Sequence, residues 1–256
     1  MADDDALSAE VFDDVFAQVA RAPRATELFD EVLGPFPAGA EPFSLVPRHG
    51  LDRVLAELRL RPGDHLLDLC CGRGGIGLWF ASASGARLTG ADFSAAAIGQ
   101  ASRRAAEFTP RPQASFIVAD AADTGLEAET VDAVICIDSM QYVPDKAAVL
   151  REVARVLRPG GRVVVTMWER RGAESADLPD VYSIGNAAGL AEAAGLQVAA
   201  CEERDDWQEL ERSFYQRMIA EDSEQAEPAV RLLANEGRVM LPYSALARRL
   251  LLVAHT

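Results

Sequence analysis

The sequence predicts an α/β protein with a buried parallel sheet. Short apolar runs alternate with amphipathic segments from about residue 64 onward. The amphipathic segments carry apolar residues at intervals of three and four, which is the spacing of a helix. Near-continuous apolar runs are typical of parallel strands that helices cover on both faces. The alternation therefore predicts successive βαβ units.

Five apolar runs are predicted to form the central strands: HLLDLC, GARLTGAD, ASFIVAD, VDAVICID and GRVVVTMWE. The predicted helices between them are GGIGLWFASAS, SAAAIGQASRRAAEF and DKAAVLREVARVLRPGG. Ser94 and Asp145 have the residue types that cap helix N-termini. Pro159, Gly160 and Gly161 are expected to stop the third helix before the next strand.

Two helical segments lie outside this predicted core. The first, roughly residues 7 to 60, includes VFDDVFAQVARA and RHGLDRVLAELRL, which a stretch from Pro35 to Pro47 separates. The second, roughly 205 to 240, holds WQELERSFYQRMIAEDSEQ and PAVRLLANEG. It lies between a predicted strand in LQVAACEE and a last strand in ARRLLLVAH. Because the ligand crevice of such a sheet lies at the carboxyl ends of its strands, we expect these helices to line a substrate pocket.

The net charge of the chain indicates which kinds of molecule it can bind. The chain of 256 residues carries 40 acidic and 25 basic residues, a formal net charge of -15. A surface of that sign repels nucleic acid and anionic membranes, and the basic residues form no cluster. We therefore expect a small neutral or cationic substrate, and neither a nucleic acid nor a membrane as partner.

The residues present also predict where the protein is located and whether it binds a metal. The acidic start MADDDALSAE lacks the basic flank and apolar run of a secretory signal, so we expect a cytoplasmic protein. The four cysteines show no paired CxxC spacing. His49, His65 and His255 are far apart, so no set of metal ligands is expected.

The most informative stretch is LLDLCCGRGGIGLWFA, residues 66–81. It is an apolar strand that ends near Asp68 and turns through Gly72, Gly74 and Gly75 into a helix. Glycine in such a turn permits a positive φ and a close approach of the backbone to a ligand. Similar turns follow the first strand of many nucleotide-binding sheets, so the turn alone is a weak indication.

Acidic residues end the next two predicted strands. Asp92 lies 20 residues after Gly72, where a carboxylate can accept hydrogen bonds from both hydroxyls of a ribose. Asp120 ends the following strand, and the fourth strand, VDAVICID, leads into SMQYVPD. These positions are all expected to face one crevice.

Taken together, these pieces resemble the class I S-adenosylmethionine-dependent methyltransferases. The resemblance covers residues 62–169 and includes the turn DLCCGRGG, the segment around Asp120 and the run LREVARVLRPGGRVVVTMWE. It implies a Rossmann-like, mostly parallel seven-stranded sheet in the order 3-2-1-4-5-7-6, with the last strand antiparallel. It also implies S-adenosyl-L-methionine as methyl donor and S-adenosyl-L-homocysteine as product.

The resemblance implies that different segments of the chain have different structural roles. Residues 1–60 are expected to form a helical N-terminal cap and 61–204 the cofactor-binding core. Residues 205–245 are expected to form a helical lid over the substrate, and 246–256 the final strand of the core sheet. The cofactor-binding residues implied by the family motifs are Asp68, Cys70, Gly72, Gly74, Asp92, Phe93, Asp120, Ala121 and Ile137.

One departure from the family pattern keeps an alternative open. The family often has glycine where this chain has Cys70, so the loop is expected to sit slightly differently. Gly72, Gly74 and Gly77 also fit the G-x-G-x-x-G spacing of an NAD-dependent dehydrogenase. That spacing does not decide between the two families, and the downstream context of Asp120 and RVLRPGG favours the methyltransferase.

The resemblance implies methyl transfer by in-line displacement, for which positioning is the main task of the protein. Tyr142 and Gln141 follow the fourth strand, where the family commonly contacts the acceptor, and either is a candidate to orient the nucleophile. Tyr142 packing under the cofactor is the alternative. His49 is the best histidine for a base, because it precedes a helix in a segment that, in the family, tends to fold over the pocket; a solvated helix start is the alternative.

Met140, Trp168 and Tyr215 are candidates for the substrate pocket, and Trp168 stands out because it lies at the carboxyl end of the fifth strand. The helical spacing of Leu210, Phe214 and Met218 favours core packing instead. The resemblance implies a methyltransferase that acts on an O, N or C nucleophile of a small, secondary-metabolite-like molecule, as in antibiotic biosynthesis. A cyclisation or another non-methyl reaction with bound cofactor, and a homodimer, stay open.

Overall fold

The computed structural model describes residues 13–14, 17–18, 22–40, 43–172 and 184–256. The strands are β1 (His65–Leu69), β2 (Arg87–Asp92), β3 (Ala114–Val118), β4 (Val131–Ile137), β5 (Leu157–Arg170), β6 (Gln197–Glu203) and β7 (Ala247–His255). The helices are α1 (Pro23–Leu33), α2 (Arg48–Leu58), α3 (Gly75–Ser84), α4 (Ala95–Glu107), α5 (Lys146–Val156), α6 (Ala187–Ala193), α7 (Asp205–Glu221) and α8 (Pro228–Met240). Every strand predicted from an apolar run is present.

The strands form one sheet in the order β3-β2-β1-β4-β5-β7-β6. Strands β1 to β5 pair in parallel, and β7 runs antiparallel to both β5 and β6. Leu67 in β1 pairs with Thr89 on one side and with Val134 on the other. The predicted sheet order and its antiparallel last strand are therefore confirmed, and the carboxyl ends of β1, β2, β3 and β4 meet at one edge.

Strand β4 shows why the central runs are apolar throughout. Its residues alternate between two buried clusters, one on each face of the sheet. Val134 and Cys136 pack with α5, whereas Ala133, Ile135 and Ile137 pack with α2 and α3. A strand with helices on both sides has no solvent-facing positions, so its sequence does not alternate between apolar and polar residues.

The two predicted N-caps are confirmed. The Ser94 hydroxyl accepts a hydrogen bond from the backbone N–H of Ala97 at 2.9 Å, at the start of α4. The Asp145 carboxylate does the same for the N–H of Ala148 at 2.8 Å, at the start of α5. Each cap satisfies a backbone donor that has no partner inside the helix, which stabilises the helix by typically about 1 kcal/mol.

The expected end of α5 is wrong. The helix stops at Val156, and β5 already begins at Leu157, before Pro159 and the two glycines. Arg158 precedes a proline, and this position disfavours the helical conformation. Gly160 adopts φ +77° inside the strand, and the pairing of β4 with β5 shifts register nearby. The proline and glycines therefore shape an irregular strand rather than terminate a helix.

A third apolar cluster joins α1, α7 and α8 beside the carboxyl end of β5. The rings of Phe29 and Phe214 lie 4.5 Å apart between their centroids, and Leu233 and Trp168 belong to the same cluster. Helices α7 and α8 lie between β6 and β7 in the chain, as predicted. Most of the helix predicted in VFDDVFAQVARA lies outside the described residues. None of the helices in the described ranges is long and apolar enough to cross a membrane.

Candidate functional site

A cavity of about 400 Å³ lies at the carboxyl ends of β1 to β4. Its floor is formed by residues that follow these strands, and Trp168 lines it near the end of β5. Other walls come from α1, from the segment that precedes α2, and from α8. The lining residues used below are Phe29, Leu45, Asp68, Cys70, Gly72, Gly75, Asp92, Phe93, Asp120, Ala121, Ile137, Asp138, Tyr142, Trp168, Leu233 and Glu236.

The glycine-rich turn has the backbone conformation that its sequence predicts. Gly72 adopts φ +50° and Gly74 adopts φ +73°. The N–H of Gly74 donates to the carbonyl of Cys71 at 2.8 Å, which closes the turn, and α3 begins at the next residue. A side chain at either glycine would adopt this conformation only with strain.

Cys70 keeps the turn despite the departure from the family pattern. Its φ is +59°, in the left-handed region that glycine normally occupies. A non-glycine residue there costs about 1 to 2 kcal/mol, so the surrounding structure imposes the bend. Because Cys70 lines the cavity, the substitution adds a thiol to its floor without opening the loop.

Gly74 does not line the cavity, and its contact with the cofactor stays a prediction. A Cβ at Gly74 would lie 2.7 Å from the ring of Phe116 and 3.0 Å from the Cβ of Ala101. Its lack of a side chain lets the loop pack against β3 and α4. Gly75 lines the cavity in its place.

Asp92 is hydrogen-bonded to the glycine-rich turn. One carboxylate oxygen accepts from the N–H of Gly72 at 2.8 Å, and the other accepts from the N–H of Ser94 at 2.9 Å. The side chain is buried, and burial raises its pKa, although these two backbone hydrogen bonds oppose the shift. Phe93, the next residue, lines the same part of the cavity and is 46% exposed.

Asp68 is a second buried acid in this part of the cavity. It accepts a hydrogen bond from the backbone N–H of Gly77. Burial, with a smaller contribution from the charge of Asp92, raises the pKa of Asp68 to about 8. Two neighbouring carboxyls in an enclosed site favour a ligand that carries hydroxyl donors or positive charge.

Asp120, Ala121 and Ile137 line this end of the cavity. Asp120 is oriented by its own turn, in which its Oδ1 accepts from the N–H of Ala122 at 2.8 Å. Ile137 ends β4 and presents an apolar wall. The combination of an exposed ring, aliphatic side chains and an acidic edge suits a flat heteroaromatic group.

A buried ionic network supports the other end of the cavity. Asp138, which follows β4, accepts from Arg249 Nη2 at 2.8 and 2.9 Å and from Thr166 Oγ1 at 2.8 Å. The Arg249 guanidinium lies 4.1 Å from the centre of the Trp168 ring. Glu211 accepts from Trp168 Nε1 at 3.0 Å. Trp168 is therefore held rigidly where it lines the cavity.

Glu236 and Tyr142 bring polar groups into this otherwise apolar end. Burial raises the pKa of Glu236, and a hydrogen bond from Tyr215 opposes the shift. Burial, then the charges of Glu236 and Asp138, raise the pKa of Tyr142 far above its usual value. The Tyr142 phenol therefore stays protonated in the working pH range.

The remaining residues predicted for this end do not line the cavity. Gln141 is buried, and its amide donates to the carbonyl of Asp138 at 2.7 Å. Met140 and Tyr215 are buried in apolar clusters. His49 lies at the surface, where its Nε2 is 3.1 Å from Asp206 Oδ2. The expectation that His49 faces the pocket is wrong, because its position on α2 directs it toward the start of α7.

Glu236 is the residue at this end that the sequence analysis missed. It lies three residues after Leu233 and four before Met240, both of which are buried on α8. An acidic residue on the apolar stripe of a helix was the available signal, since such a side chain is rarely buried without a partner. Asp138 was missed too, because its partner Arg249 is 111 residues away in the chain.

Comparison with known proteins identifies the central part of the chain. Residues 66–161 match the family model described as a methyltransferase domain. The match spans the glycine-rich turn, Asp92, Asp120 and the end of β4, which are the features that form the floor of the cavity.

Two relatives come from actinomycetes. The 27-O-demethylrifamycin SV methyltransferase of Amycolatopsis mediterranei is 36% identical over 114 residues, which is 44% of this chain and 42% of the relative. The methyltransferase GfsG of Streptomyces halstedii is 32% identical over 138 residues, covering 54% and 50%. The chain thus spans half or less of the length of these relatives.

Solved structures share the fold. Phosphoethanolamine N-methyltransferase 2 of Haemonchus contortus, in complex with S-adenosyl-L-methionine, aligns with a TM-score of 0.72 at 20% identity and covers 96% of this chain and 60% of that one. The [4+2]-cyclase SpnF aligns with a TM-score of 0.71 at 22% identity, covering 91% and 92%. The matched methyltransferase domain at residues 66–161, the sheet order and the glycine-rich turn agree with one another, and together they support a class I S-adenosylmethionine-dependent methyltransferase.

Proposed function

We propose that this protein transfers the methyl group of S-adenosyl-L-methionine to an oxygen atom of a small, largely apolar molecule of the natural-product type. One observation carries the proposal: a single cavity has buried acids and a glycine-rich turn at one end and an apolar chamber at the other. The names of relatives support the choice of oxygen, since they include 27-O-demethylrifamycin SV methyltransferase and the tocopherol O-methyltransferase of Arabidopsis thaliana.

The residues present fit the cofactor. Asp68 is buried with its pKa raised to about 8, so its charge lacks sufficient compensation in the protein alone. A ligand with a positive charge, such as the ammonium or sulfonium of the methionine part, would supply it. Asp92 would hold the ribose hydroxyls, and Phe93 and Ile137 would flank the adenine.

When bound, the cofactor supplies a methyl group on a positively charged sulfur, which needs no further activation. The task of the chain is then to position the acceptor. Bringing nucleophile and methyl carbon to about 3 to 3.5 Å in line lowers the barrier by as much as roughly 7 to 11 kcal/mol. The rigid support of Trp168 by Glu211 and Arg249 serves this purpose.

The acceptor end is lined by Phe29, Leu45, Trp168 and Leu233. These side chains favour an apolar acceptor and exclude water from the reacting atoms. Tyr142 is a polar side chain that lines the cavity near this chamber. Since its phenol stays protonated, we assign it to orienting the acceptor oxygen by a hydrogen bond rather than to taking its proton.

A two-part experiment tests the proposal. Calorimetric titration with S-adenosyl-L-methionine should show binding, and Asp92→Ala should weaken it by about 1 to 3 kcal/mol through loss of charge-assisted hydrogen bonds. The exposed Asp30→Ala is the matched control and should bind as the wild type does. A screen of phenols and other hydroxylated apolar compounds with isotopically labelled methyl donor should then give O-methylated product and one S-adenosyl-L-homocysteine per product.

Two outcomes would contradict the proposal. Absence of cofactor binding would remove the methyl-transfer function altogether. Turnover of an acceptor with neither methylated product nor S-adenosyl-L-homocysteine would assign the cavity to a different reaction, such as a cyclisation.

We also propose a cytoplasmic location and a small-molecule acceptor as partner. The free cysteines Cys70, Cys71, Cys136 and Cys201 support a reducing compartment, and the net charge of -15 disfavours nucleic acid and anionic membranes. Cell fractionation tests the location: recovery of the protein with membranes or in the medium would contradict it.

A further inference from the structure

We propose that Glu236 is the general base that takes the proton of the acceptor hydroxyl. The inference rests on the proposed O-methyl transfer and names the residue that this reaction would use. Glu236 lies on α8 and lines the cavity together with Leu233 and Tyr142. None of the candidates for catalysis taken from the sequence fills this role in the structure, since His49 and Gln141 do not line the cavity.

The other acids that line the cavity are already engaged. Asp138 accepts hydrogen bonds from Arg249, Thr166 and Ser44, with the Ser44 hydroxyl at 2.9 Å. Asp92 accepts two backbone N–H groups of the glycine-rich turn and of α4. Asp68 accepts from the N–H of Gly77 and Asp120 from the N–H of Ala122, and both belong to the same cofactor end. Glu236 is therefore the carboxyl at the acceptor end whose partner is a neutral hydroxyl rather than an arginine.

The packing of α7 against α8 positions Glu236. Tyr215 on α7 is hydrogen-bonded to its carboxylate. Gly237 permits this approach, because a Cβ there would lie 2.8 Å from the Cβ of Tyr215. A carboxylate held by one donor keeps lone pairs for a proton from the substrate.

The electrostatics of the acceptor end distinguish the roles of Glu236 and Tyr142. The charge of Glu236 helps to raise the pKa of Tyr142, so the phenol remains a donor. Burial raises the pKa of Glu236 itself, which brings it nearer to the pH at which a base works best. Among the residues that the structure describes, Tyr142, Tyr215 and Glu211 are titratable groups that face Glu236 from the elements packed around it.

During methyl transfer the acceptor O–H bond breaks, and its proton passes to the Glu236 carboxylate. The oxygen lone pair forms the new bond to the methyl carbon, while the electron pair of the broken carbon–sulfur bond stays on sulfur. Glu236 then releases its proton to solvent when the products leave.

The test compares two phenols as probe acceptors with the full-length protein. The hydroxyl of 1-naphthol is protonated at neutral pH, whereas that of 4-nitrophenol is substantially ionised. Glu236→Gln should lower kcat for 1-naphthol by roughly 10²- to 10⁴-fold and that for 4-nitrophenol far less, because an ionised phenol needs no base. Affinity for S-adenosyl-L-methionine, measured by calorimetry, should not change. Glu209→Gln, an exposed Glu-to-Gln exchange on α7, should behave as the wild type.

A second variant tests the same role through pH. Tyr215→Phe removes the hydrogen bond that lowers the pKa of Glu236, so the acidic limb of kcat/KM should move to higher pH. A limb that stays in place, or an equal loss of rate for both phenols in Glu236→Gln, would overturn the inference. So would a wild-type rate for 1-naphthol in that variant.

An acceptor-free measurement separates this inference from the proposed function. Dicyclohexylcarbodiimide modifies protonated carboxyls in apolar surroundings, and peptide mapping should find it on Glu236 and not on Glu209. Absence of label on Glu236 overturns the inference even where the wild type is active. A wild-type protein that methylates no probe refutes the proposed function instead, and the labelling result then still decides whether Glu236 is a protonatable group of the cavity.

Discussion

The guanidinium of Arg249 and the carboxylate of Asp138 form a buried ion pair, with Nη2 of Arg249 2.8 Å from Oδ1 and 2.9 Å from Oδ2 of Asp138. The same carboxylate accepts from the N–H of Leu45 at 3.0 Å. One acid thus joins β7, the end of β4 and the segment before α2. It fixes the position of the cavity wall that Leu45 provides.

Arg249→Met should destabilise the protein by roughly 3 to 5 kcal/mol, because it leaves Asp138 and Glu211 buried without their cation. Urea unfolding measures the loss. The control is Arg231→Met, which removes an exposed arginine 3.9 Å from Asp222 and should cost about 0 to 1 kcal/mol. Equal costs for the two variants would show that the buried pair contributes no more than a surface pair.

Asp68→Asn should raise the stability of the folded protein and lower its affinity for S-adenosyl-L-methionine. The pKa of Asp68 is about 8 in the folded protein and 3.8 as the reference value, so the folded state holds the proton more tightly. The contribution of this group to stability is therefore greatest below about pH 4 and is lost as the pH rises through 8. At about pH 9 the asparagine variant should be more stable than the wild type by about 1 to 3 kcal/mol.

Urea unfolding at about pH 5 and pH 9 checks this expectation, with the exposed Asp30→Asn as the control. The gain should be larger at the higher pH. The same variant should lose most of its affinity for S-adenosyl-L-methionine. A gain that does not depend on pH would mean that the Asp68 carboxyl is not the group that titrates.

Binding of the cofactor to the wild type should release protons near neutral pH. A cation placed beside Asp68 favours its ionised form, so a group that is protonated below about pH 8 gives up its proton on binding. Calorimetry in buffers of different ionisation enthalpy measures the number released. The release should vanish in Asp68→Asn, and an unchanged release there would assign the proton to another group.

Tyr142→Phe should lower kcat and leave cofactor affinity unchanged. The substitution removes a hydroxyl from the acceptor end of the cavity and keeps the ring. If Tyr142 orients the acceptor, kcat and kcat/KM should fall together. Wild-type kinetics of the Tyr142→Phe variant would indicate that Tyr142 only packs under the cofactor, which is the alternative given in the sequence analysis.

Gly75→Ala and Gly99→Ala form a matched pair within helices. A Cβ at Gly75 would lie 1.6 Å from the carbonyl oxygen of Ala40, so alanine must displace the segment over the glycine-rich turn. At Gly99 the nearest atom is the end of the Arg103 side chain at 3.7 Å. Gly99→Ala should therefore stabilise the protein by about 0.5 to 1 kcal/mol, whereas Gly75→Ala should destabilise it and weaken cofactor binding. Thermal unfolding and calorimetry check both, and stabilisation by Gly75→Ala would contradict the close contact.

The features that the sequence predicted are local ones. Strand β4 follows from a run of apolar residues, and the N-cap at Ser94 from a side chain and the helix that follows it. The positive φ of Gly72 likewise follows from a short turn between a strand and a helix. For such features, neighbours in the chain determine the conformation.

The acceptor end could not be predicted in the same way. Its geometry depends on pairs such as Asp138 with Arg249, which lie on different strands, and on the packing of α8 against α7. His49 was placed wrongly because the direction of α2 over the sheet decides which way its side chain points. The sequence analysis named Trp168 and Tyr142, which line this end, and Glu236, an acid within the apolar stripe of a helix, was a further trace of it.

The separation of the apolar cluster of α1, α7 and α8 from the two clusters on the sheet has an evolutionary consequence. Side chains in that helical cluster can be exchanged without altering the strand register that supports the glycine-rich turn. Under the proposed function, substitutions in this cluster can change which acceptor is bound while the cofactor-binding end stays the same. Exchanging these helices between homologues is therefore a rational route to an altered acceptor preference.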